Sequence, residues 1–280
     1  MLAGAGGEFE MEVIERAIIR VVGFAREPID HQQIRGRLLP IVCFRVAIVR
    51  LAGGGAQAEP HPREGWRVVA REDLVEALAK HGADLIEVGL SFSDPLADGP
   101  VIQKATQVAL ENGITVRKCL DAVKELRQRG VDIPLVLMGY YNPMLAYGLE
   151  KFICDATDAG VDGFIIPDLP VEEADEFSSA LVGMGSRPSL PLIQMLAPTT
   201  PNERMEFIAR NARGFIYLVS VTGVTGERKS ISEGLGELIA RVREHTSIPV
   251  CVGFGIGTPE QARQVGALAD GVIVGTACVR

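Results

Sequence analysis

Leu85-Ile86-Glu87-Val88-Gly89-Leu90 is a short apolar run with one acid inside it, and Phe92-Ser-Asp-Pro-Leu-Ala-Asp-Gly-Pro100 follows almost directly. The run has the length and composition of a β-strand that is buried on both faces. A carboxylate on such a strand is costly to bury unless it is paired or protonated. The loop adds a second acid, Asp98. Two carboxylates in different surroundings suit acid/base chemistry, although a satisfied buried Glu87 and a turn-forming Asp98 would explain an isolated pair at least as well.

Strands and helices alternate from about residue 68 onward. Seven short apolar strands are predicted at 84–88, 134–138, 163–166, 190–196, 214–219, 249–253 and 271–274. Repeated βα units over this length predict an α/β protein with a (β/α)8 TIM barrel, and a doubly wound open sheet is the alternative. The eighth strand must come from upstream, where Ile41–Val49 is the best segment. The stretch Tyr140–Pro143 is predicted to be a loop that leaves the second of the seven strands.

The first 70 residues differ in character from the rest. A helix is predicted over 10–22 from apolar residues at helical spacing, and 41–49 would be a surrogate first strand. Residues 71–280 are expected to form the barrel body as a single domain. The chain stops at Arg280, soon after the last predicted strand, which suggests a truncated final helix. A barrel without that helix would expose apolar surface and should be less stable or prone to association.

Composition excludes several classes of protein. The 280 residues carry a formal net charge of −8, which argues against nucleic-acid binding. The apolar stretch Leu38–Leu51 is short for a membrane span and contains two arginines, and the acidic N-terminus argues against a secretory or organellar leader. We therefore expect a cytoplasmic protein with no membrane segment. No metal site is predicted, because no Cys-x-x-Cys pair and no His at ligand spacing accompanies the five widely spaced cysteines, Cys43, Cys119, Cys154, Cys251 and Cys278.

Three glycine-containing turns follow late strands. They are Thr222-Gly-Val-Thr-Gly226, Gly253-Phe-Gly-Ile-Gly257 and Gly275-Thr276. Thr258 and Pro259 resemble an N-cap and a first helical residue. Loops after strands 7 and 8 often bind phosphate in TIM barrels, and glycine lets the backbone approach the phosphate oxygens. A phosphate site is therefore favoured over the alternative, that these glycines only make tight turns.

The motifs together closely resemble the tryptophan synthase alpha chain family. The resemblance runs from about Asp73 to Arg280 and rests on the acid strand, the nine-residue loop, and the motifs Tyr140-Tyr-Asn-Pro143, Pro167-Asp-Leu-Pro170, Tyr217-Leu-Val-Ser220, Gly223-Val-Thr-Gly226 and Gly253-Phe-Gly-Ile256. It implies a lyase of tryptophan biosynthesis that performs retro-aldol cleavage of indole-3-glycerol phosphate to indole and glyceraldehyde 3-phosphate. Another phosphate-binding barrel of aromatic amino-acid biosynthesis would lack the Asp-Pro-Leu-Ala-Asp loop.

The resemblance also implies roles for individual residues. Glu87 matches the family's general acid/base, and burial would favour the protonated form that has to protonate indole C3. Asp98 matches the loop aspartate that accepts the indole N–H proton and stabilises charge on the ring. Thr225 and Tyr217 would support catalysis. The implied phosphate-binding residues are Gly226, Gly255, Gly275 and Thr276. The implied indole pocket is Phe254, Met138 and Ile165, for which ordinary core packing is the alternative.

The family likeness extends to partners and cofactors. It implies a beta chain that takes the indole, in an alpha-beta heterotetramer, and pyridoxal phosphate would belong to that partner, with no cofactor in this chain. Two departures stand against these expectations: the family's Thr-Ala-Gly-Asp-Pro-like turn after the first strand is missing, and so is its closing helix. An inactive or unstable relative that acts only as a binding partner is therefore the alternative.

Overall fold

The computed structural model describes residues 41–46, 71–80, 83–182, 190–219, 231–253, 255–256 and 258–279. Eight strands are present in this part of the chain: β1 Ile41–Val46, β2 Leu85–Gly89, β3 Leu135–Met138, β4 Gly163–Ile165, β5 Leu192–Leu196, β6 Ile216–Val219, β7 Val250–Gly253 and β8 Gly271–Val274. The helices are α1 Arg71–Lys80, α2 Pro100–Glu111, α3 Val116–Gln128, α4 Tyr141–Tyr147, α5 Leu149–Ala159, α6 Asp175–Val182, α7 Asn202–Asn211, α8 Ile231–Arg243, α9 Pro259–Gly266 and α10 Thr276–Val279, with a 3-10 turn at Val171–Glu173.

The strands form a closed barrel in sequence order. Every neighbouring pair is parallel, and β1 closes the ring by pairing with both β2 and β8. The predicted TIM barrel is confirmed, and the open-sheet alternative is excluded by this closure. The strand expected within 41–49 is observed at 41–46. Most of the segment 1–70, including the predicted helix 10–22, lies outside the described residues, so the division at residue 70 stays a prediction.

Two apolar layers hold the barrel together. One fills the barrel interior and consists of Val136, Met138, Ile165, Ile193, Phe215, Tyr217, Cys251 and Ile273. The other packs the outer face of the strands against the helices, with Ile86, Leu135, Phe164 and Leu218 among its fully buried members. Successive residues of a strand therefore point alternately inward and outward, both into apolar surroundings. This is why the strand sequences show no polar alternation.

Two aspartate side chains, each just before a strand, connect the sheet to its helices. Asp162, just before β4, accepts a hydrogen bond from the backbone N–H of Leu135 at 2.8 Å and forms an ion pair with Arg127 of α3. Asp270, just before β8, does the same with the N–H of Val250 at 2.9 Å and with Arg243 of α8 at 3.0 Å. Both contacts lie at the N-terminal end of the barrel and keep strand N–H groups from being buried without a partner.

One prediction about the loops is wrong. Tyr140–Pro143 was expected to be loop, but the helix α4 begins at Tyr141. Pro143 occupies the first turn of that helix, where a backbone N–H has no intrahelical partner to lose. No helix in the described ranges is long and apolar enough to span a bilayer.

Candidate active site

Glu87 lies in the middle of β2, where its neighbours in register are Val136 of β3 and Arg45 of β1. Its side chain is wholly buried, at 0% exposure. Leu85, two residues earlier on the same face, packs against the interior apolar layer. Since side chains on a strand alternate, Glu87 projects to the inside of the barrel. The strand thus delivers a carboxyl group into an apolar interior, as the sequence predicts.

Asp98 lies in the loop between β2 and α2. The loop turns at Pro95, whose carbonyl accepts a hydrogen bond from the Asp98 N–H at 3.2 Å. The Asp98 carbonyl accepts a bond from Gln103 Nε2 at 2.8 Å, which fixes the loop to the first turns of α2. Asp98 is partly buried, while Leu96 at the tip of the loop is 87% exposed. The loop therefore keeps Asp98 at the surface of the barrel mouth, in a wetter place than Glu87.

A small recess lies at the C-terminal ends of β2 and β3. Residues after the Glu87 strand and Asp98 itself both border it. Its walls are Gly89, Leu90, Ser91, Asp98, Ile102, Thr106, Met138, Gly139, Tyr140 and Pro167. Asp98 and Met138, one expected to hold the indole N–H and the other to contact the ring, therefore line the same space. Active sites of TIM barrels lie at this end of the strands.

Three other predicted residues belong to the barrel interior. Met138, Ile165 and Tyr217 are at most 2% exposed and share one apolar cluster. Tyr217 approaches the backbone of Gly253 so closely that a Cβ atom on Gly253 would lie 2.6 Å from the tyrosine hydroxyl oxygen. Their packing agrees with both ordinary core and the floor of an indole pocket, so the pocket role stays a prediction. Phe254, the third residue of the predicted indole pocket, lies outside the described residues.

The predicted phosphate-binding residues follow β7 and β8. Gly255 has a positive φ of 80°, and open space lies where a Cβ would be. Gly275 follows β8 directly, and Thr276 begins α10 and is exposed. Since β7 and β8 are paired, these residues share one side of the barrel mouth. Gly226 and Thr225 lie outside the described residues.

The helix that follows the Gly253 turn begins as predicted. Thr258 is its N-cap, and its hydroxyl accepts a hydrogen bond from the N–H of Gln261 at 3.3 Å. The Gln261 Oε1 atom in turn accepts a hydrogen bond from the N–H of Thr258 at 3.2 Å, and Pro259 is the first helical residue. Such a capping box fixes where the chain leaves the turn and enters the helix.

Sequence reasoning assigned no role to Tyr140, which the structure places in the recess. Its hydroxyl accepts a hydrogen bond from the N–H of Ala97 at 2.8 Å, next to Asp98. Its position directly after β3 and Gly139 was the only signal available, because the contact joins residues 43 apart in the sequence.

Thiol and metal chemistry gain no support from the described residues. Burial raises the pKa of the Cys278 thiol to about 12, so it stays protonated at neutral pH. In the described part of the chain, no group of three or more His, Cys, Asp or Glu side chains could hold a metal ion.

Comparisons with known proteins point in the same direction as the geometry. The family whose model matches residues 67–280 is described as tryptophan synthase alpha chain. The tryptophan synthase alpha chain of Chloroflexus aurantiacus is 52% identical over 207 residues, which are 74% of this chain and 76% of that protein. That of Geobacter sulfurreducens is 50% identical over 213 residues, or 76% and 79% of the two chains.

Solved structures with the same fold carry related names. The ligand-free form of a mutant tryptophan synthase from M. tuberculosis superposes with a TM-score of 0.72 at 34% identity, covering 89% of this chain and 87% of that one. The tryptophan synthase a2b2 complex of Pyrococcus furiosus gives a TM-score of 0.70 at 34% identity, covering 85% and 88%.

Proposed function

The chain belongs to the tryptophan synthase alpha chain family, whose members are lyases that cleave indole-3-glycerol phosphate, and we propose that Glu87 and Asp98 carry out this cleavage here. The observation that supports the pair most is the difference between their surroundings. Glu87 is buried inside the barrel, and Asp98 lines the recess at the barrel mouth. Two carboxyl groups with different environments can take different protonation states at one pH.

Glu87 is the proton carrier in this proposal. Its carboxyl group donates a proton to C3 of the indole ring, and the resulting carboxylate then takes the proton of the hydroxyl group on the adjacent side-chain carbon. As that O–H proton leaves, a carbonyl group forms, the carbon–carbon bond to C3 breaks, and its electron pair returns to the ring. Indole and glyceraldehyde 3-phosphate result, and Glu87 is left protonated for the next turnover. One residue suffices because the proton given equals the proton received.

Asp98 stabilises charge in the same step. Protonation at C3 leaves the ring system cationic, and that charge is largest near the ring nitrogen. An ionised carboxylate that accepts the N–H hydrogen bond stabilises this state more than the neutral substrate. The Asp98 N–H donates to the Pro95 carbonyl and the Asp98 carbonyl accepts from Gln103 Nε2, and these bonds fix the loop in advance, which supports this role.

The rest of the site binds the two ends of the substrate. Phosphate would contact backbone N–H groups at Gly226, Gly255, Gly275 and Thr276, because glycine allows close approach and helix N-termini favour anions. Met138, Ile165 and Phe254 would contact the indole ring, and Tyr217 and Thr225 would support the catalytic groups. Phosphate binding beside β7 and β8 would leave the indole ring toward β2 and β3, the strands that carry Glu87 and Met138.

The same family membership bears on partners and compartment. The structurally similar Pyrococcus furiosus protein is part of an a2b2 complex, and we infer a beta-chain partner for this chain as well. Pyridoxal phosphate would belong to that partner, and no cofactor is expected in this chain. The cytoplasm is the proposed compartment, and the free thiols Cys119, Cys154, Cys251 and Cys278 support this proposal, because disulfides are rare in a reducing compartment.

Indole formation tests the proposal. The purified full chain is incubated with indole-3-glycerol phosphate, alone and with a tryptophan synthase beta chain plus serine and pyridoxal phosphate, and indole and tryptophan are measured. We expect indole in the first mixture and tryptophan in the second. A folded chain, shown by circular dichroism, that forms neither product would instead be the non-catalytic relative.

A further inference from the structure

Tyr140 has a fixed place beside residues 92–99, the proposed catalytic loop that carries Asp98. It follows β3 after Gly139, and the N–H of Gly139 donates to the carbonyl of Ile165 at 3.1 Å. A Cβ on Gly139 would lie 2.7 Å from Cβ of Leu90, so the backbone here is packed tightly against the strand that carries Glu87. Tyr140 itself is 3% exposed, and this burial leaves its ring little freedom to move.

The following residue is fixed from another strand. The N–H of Tyr141, the first residue of α4, donates to a carboxylate oxygen of Asp168 at 2.9 Å. Asp168 comes shortly after β4. The backbone on both sides of Tyr140 is therefore held by hydrogen bonds to the β4 region, and the tyrosine side chain starts from a rigid base.

The ring of Tyr140 contacts the catalytic loop at two points. It packs against Phe92 near the start of the loop, with ring centroids 5.6 Å apart. Its hydroxyl oxygen accepts the 2.8 Å hydrogen bond from the N–H of Ala97 near the loop's end. Phe92 lies near the start of the loop and Ala97 near its end. The Tyr140 side chain therefore fixes the loop at both places.

We propose that Tyr140 is a positioning residue for Asp98, acting through the hydrogen bond between its hydroxyl oxygen and the Ala97 N–H. This inference rests on the proposed function of Asp98. The bond fixes the backbone N–H of the residue that precedes Asp98, and the bond from Gln103 Nε2 to the Asp98 carbonyl fixes the backbone on the other side. Both together hold the carboxylate over the recess, where the indole N–H would lie.

Loss of the hydroxyl should affect the transition state more than substrate binding. Asp98 interacts most strongly when charge develops on the ring, so a loop with more orientations costs rate mainly at that step. The phosphate group would be bound by other residues, those that follow β7 and β8, so its contribution to ground-state affinity should not depend on the Tyr140 hydroxyl. We therefore expect a fall in kcat with little change in KM.

The experiment compares Tyr140→Phe with Tyr147→Phe. Phenylalanine keeps the ring and removes only the hydroxyl oxygen. Tyr147 ends the same helix α4, but its hydroxyl donates to Asp155 at 2.6 Å in a surface cluster away from the recess, so its variant is the matched control. Steady-state indole formation gives kcat and KM, and hydrogen exchange of the free protein reports on the amides of residues 92–99.

We expect Y140F to lower kcat by about 10- to 100-fold, to change KM by less than about threefold, and to speed exchange over residues 92–99. Y147F should leave all three near the wild-type values. The proposal is overturned if Y140F keeps the wild-type kcat, if exchange in the loop is unchanged, or if Y147F causes the same losses. A wild-type chain that forms no indole would refute the proposed function, and the exchange measurement alone would then decide whether the hydroxyl holds the loop.

Discussion

Asp162 accepts a hydrogen bond from the backbone N–H of Leu135 at 2.8 Å, and so connects the residue before β4 to the first residue of β3. The same carboxylate pairs with Arg127, whose guanidinium also donates to the carbonyls of Gly160, Val131 and Ile133. Near the ends of parallel strands, some backbone N–H and carbonyl groups have no hydrogen-bond partner within the sheet. A single Asp–Arg pair satisfies four backbone groups at the end of the barrel opposite the recess.

Removal of that carboxylate should lower stability without affecting catalysis. Asp162→Ala leaves the Leu135 N–H and Arg127 without their shared partner, and we expect the free energy of unfolding to fall by about 1–3 kcal/mol. Urea denaturation followed by circular dichroism measures it. Asp132→Ala, at an exposed position a few residues before β3, is the control and should change stability by less than about 0.5 kcal/mol. Equal effects of the two substitutions would mean that the Asp162 contact contributes nothing specific.

Glu87→Gln and Asp98→Asn should both remove indole formation while the fold survives. General acid–base groups contribute about 10²- to 10⁴-fold and charge-stabilising groups about 10²- to 10³-fold, so kcat should fall by at least about 100-fold in each variant. Glu87→Gln replaces a buried acid with a neutral group of the same shape, and its urea midpoint should equal or exceed that of the wild type. Asp98→Asn, in a partly buried loop, should leave the midpoint unchanged. Turnover at the wild-type rate in either variant contradicts the role given to that residue.

Gly253→Ala should disturb the site through Tyr217. The added Cβ would meet the tyrosine ring and hydroxyl at 2.6–2.8 Å, closer than real Cβ contacts allow. Either the strand or the ring has to move, at a cost of about 1–3 kcal/mol in stability. Because Tyr217 belongs to the interior cluster with Met138 and Ile165, we also expect slower indole formation. Wild-type stability and rate together would show that Tyr217 can shift freely.

Gly236→Ala is the matched control for Gly253→Ala, because a Cβ atom at Gly236 would meet no other atom. Gly236 lies inside α8, and nothing stands within 4 Å of where its Cβ would be. Alanine restricts the unfolded chain and favours the helix, so stability should rise by about 0.5–1 kcal/mol. Thermal and urea unfolding measure the gain, and indole formation should not change. A loss of stability would mean that the helix needs glycine at this position.

The barrel could be predicted from sequence because its strands are buried on both faces. Apolar runs such as Leu135–Met138 and Gly271–Val274 have no polar alternation, and their order along the chain determines the topology of parallel βα units. β1 was harder to identify, since Arg45 interrupts its apolar character. The start of α4 was missed because Asn142-Pro143 is typical of a turn, although proline is also tolerated in a first helical turn.

In the candidate active site, the sequence identified the two acids, and the structure identified the contact that holds the Asp98 loop. Glu87 and Asp98 stand in motifs close to each other in the chain, so pattern and family resemblance were enough to select them. The bond from Ala97 to Tyr140 depends on how far a phenol reaches across two strands, and the sequence records neither that distance nor the ring's orientation. Contacts made by side-chain reach, rather than by periodicity, had to come from the structure.

Acid should weaken the surface cluster around Asp155. Hydrogen bonds from Lys151 and then Tyr147 lower the pKa of the Asp155 carboxyl, with Arg117 contributing through its charge. A lowered pKa in the folded state means that the carboxylate adds stability above its unfolded pKa of about 3.9, and that this contribution is lost as the pH falls through the folded value. Asp155→Asn should therefore melt below the wild type at pH 7, and the two melting temperatures should converge below about pH 4. The difference in melting temperature at pH 7 should also decrease in 1 M salt, where the screening length is roughly 3 Å. Salt can screen these charges because the side chains of Arg117 and Lys151 are more than half exposed. A gap that is the same at pH 3 and pH 7 would show that packing of the Asp155 side chain, and not its charge, provides the stability.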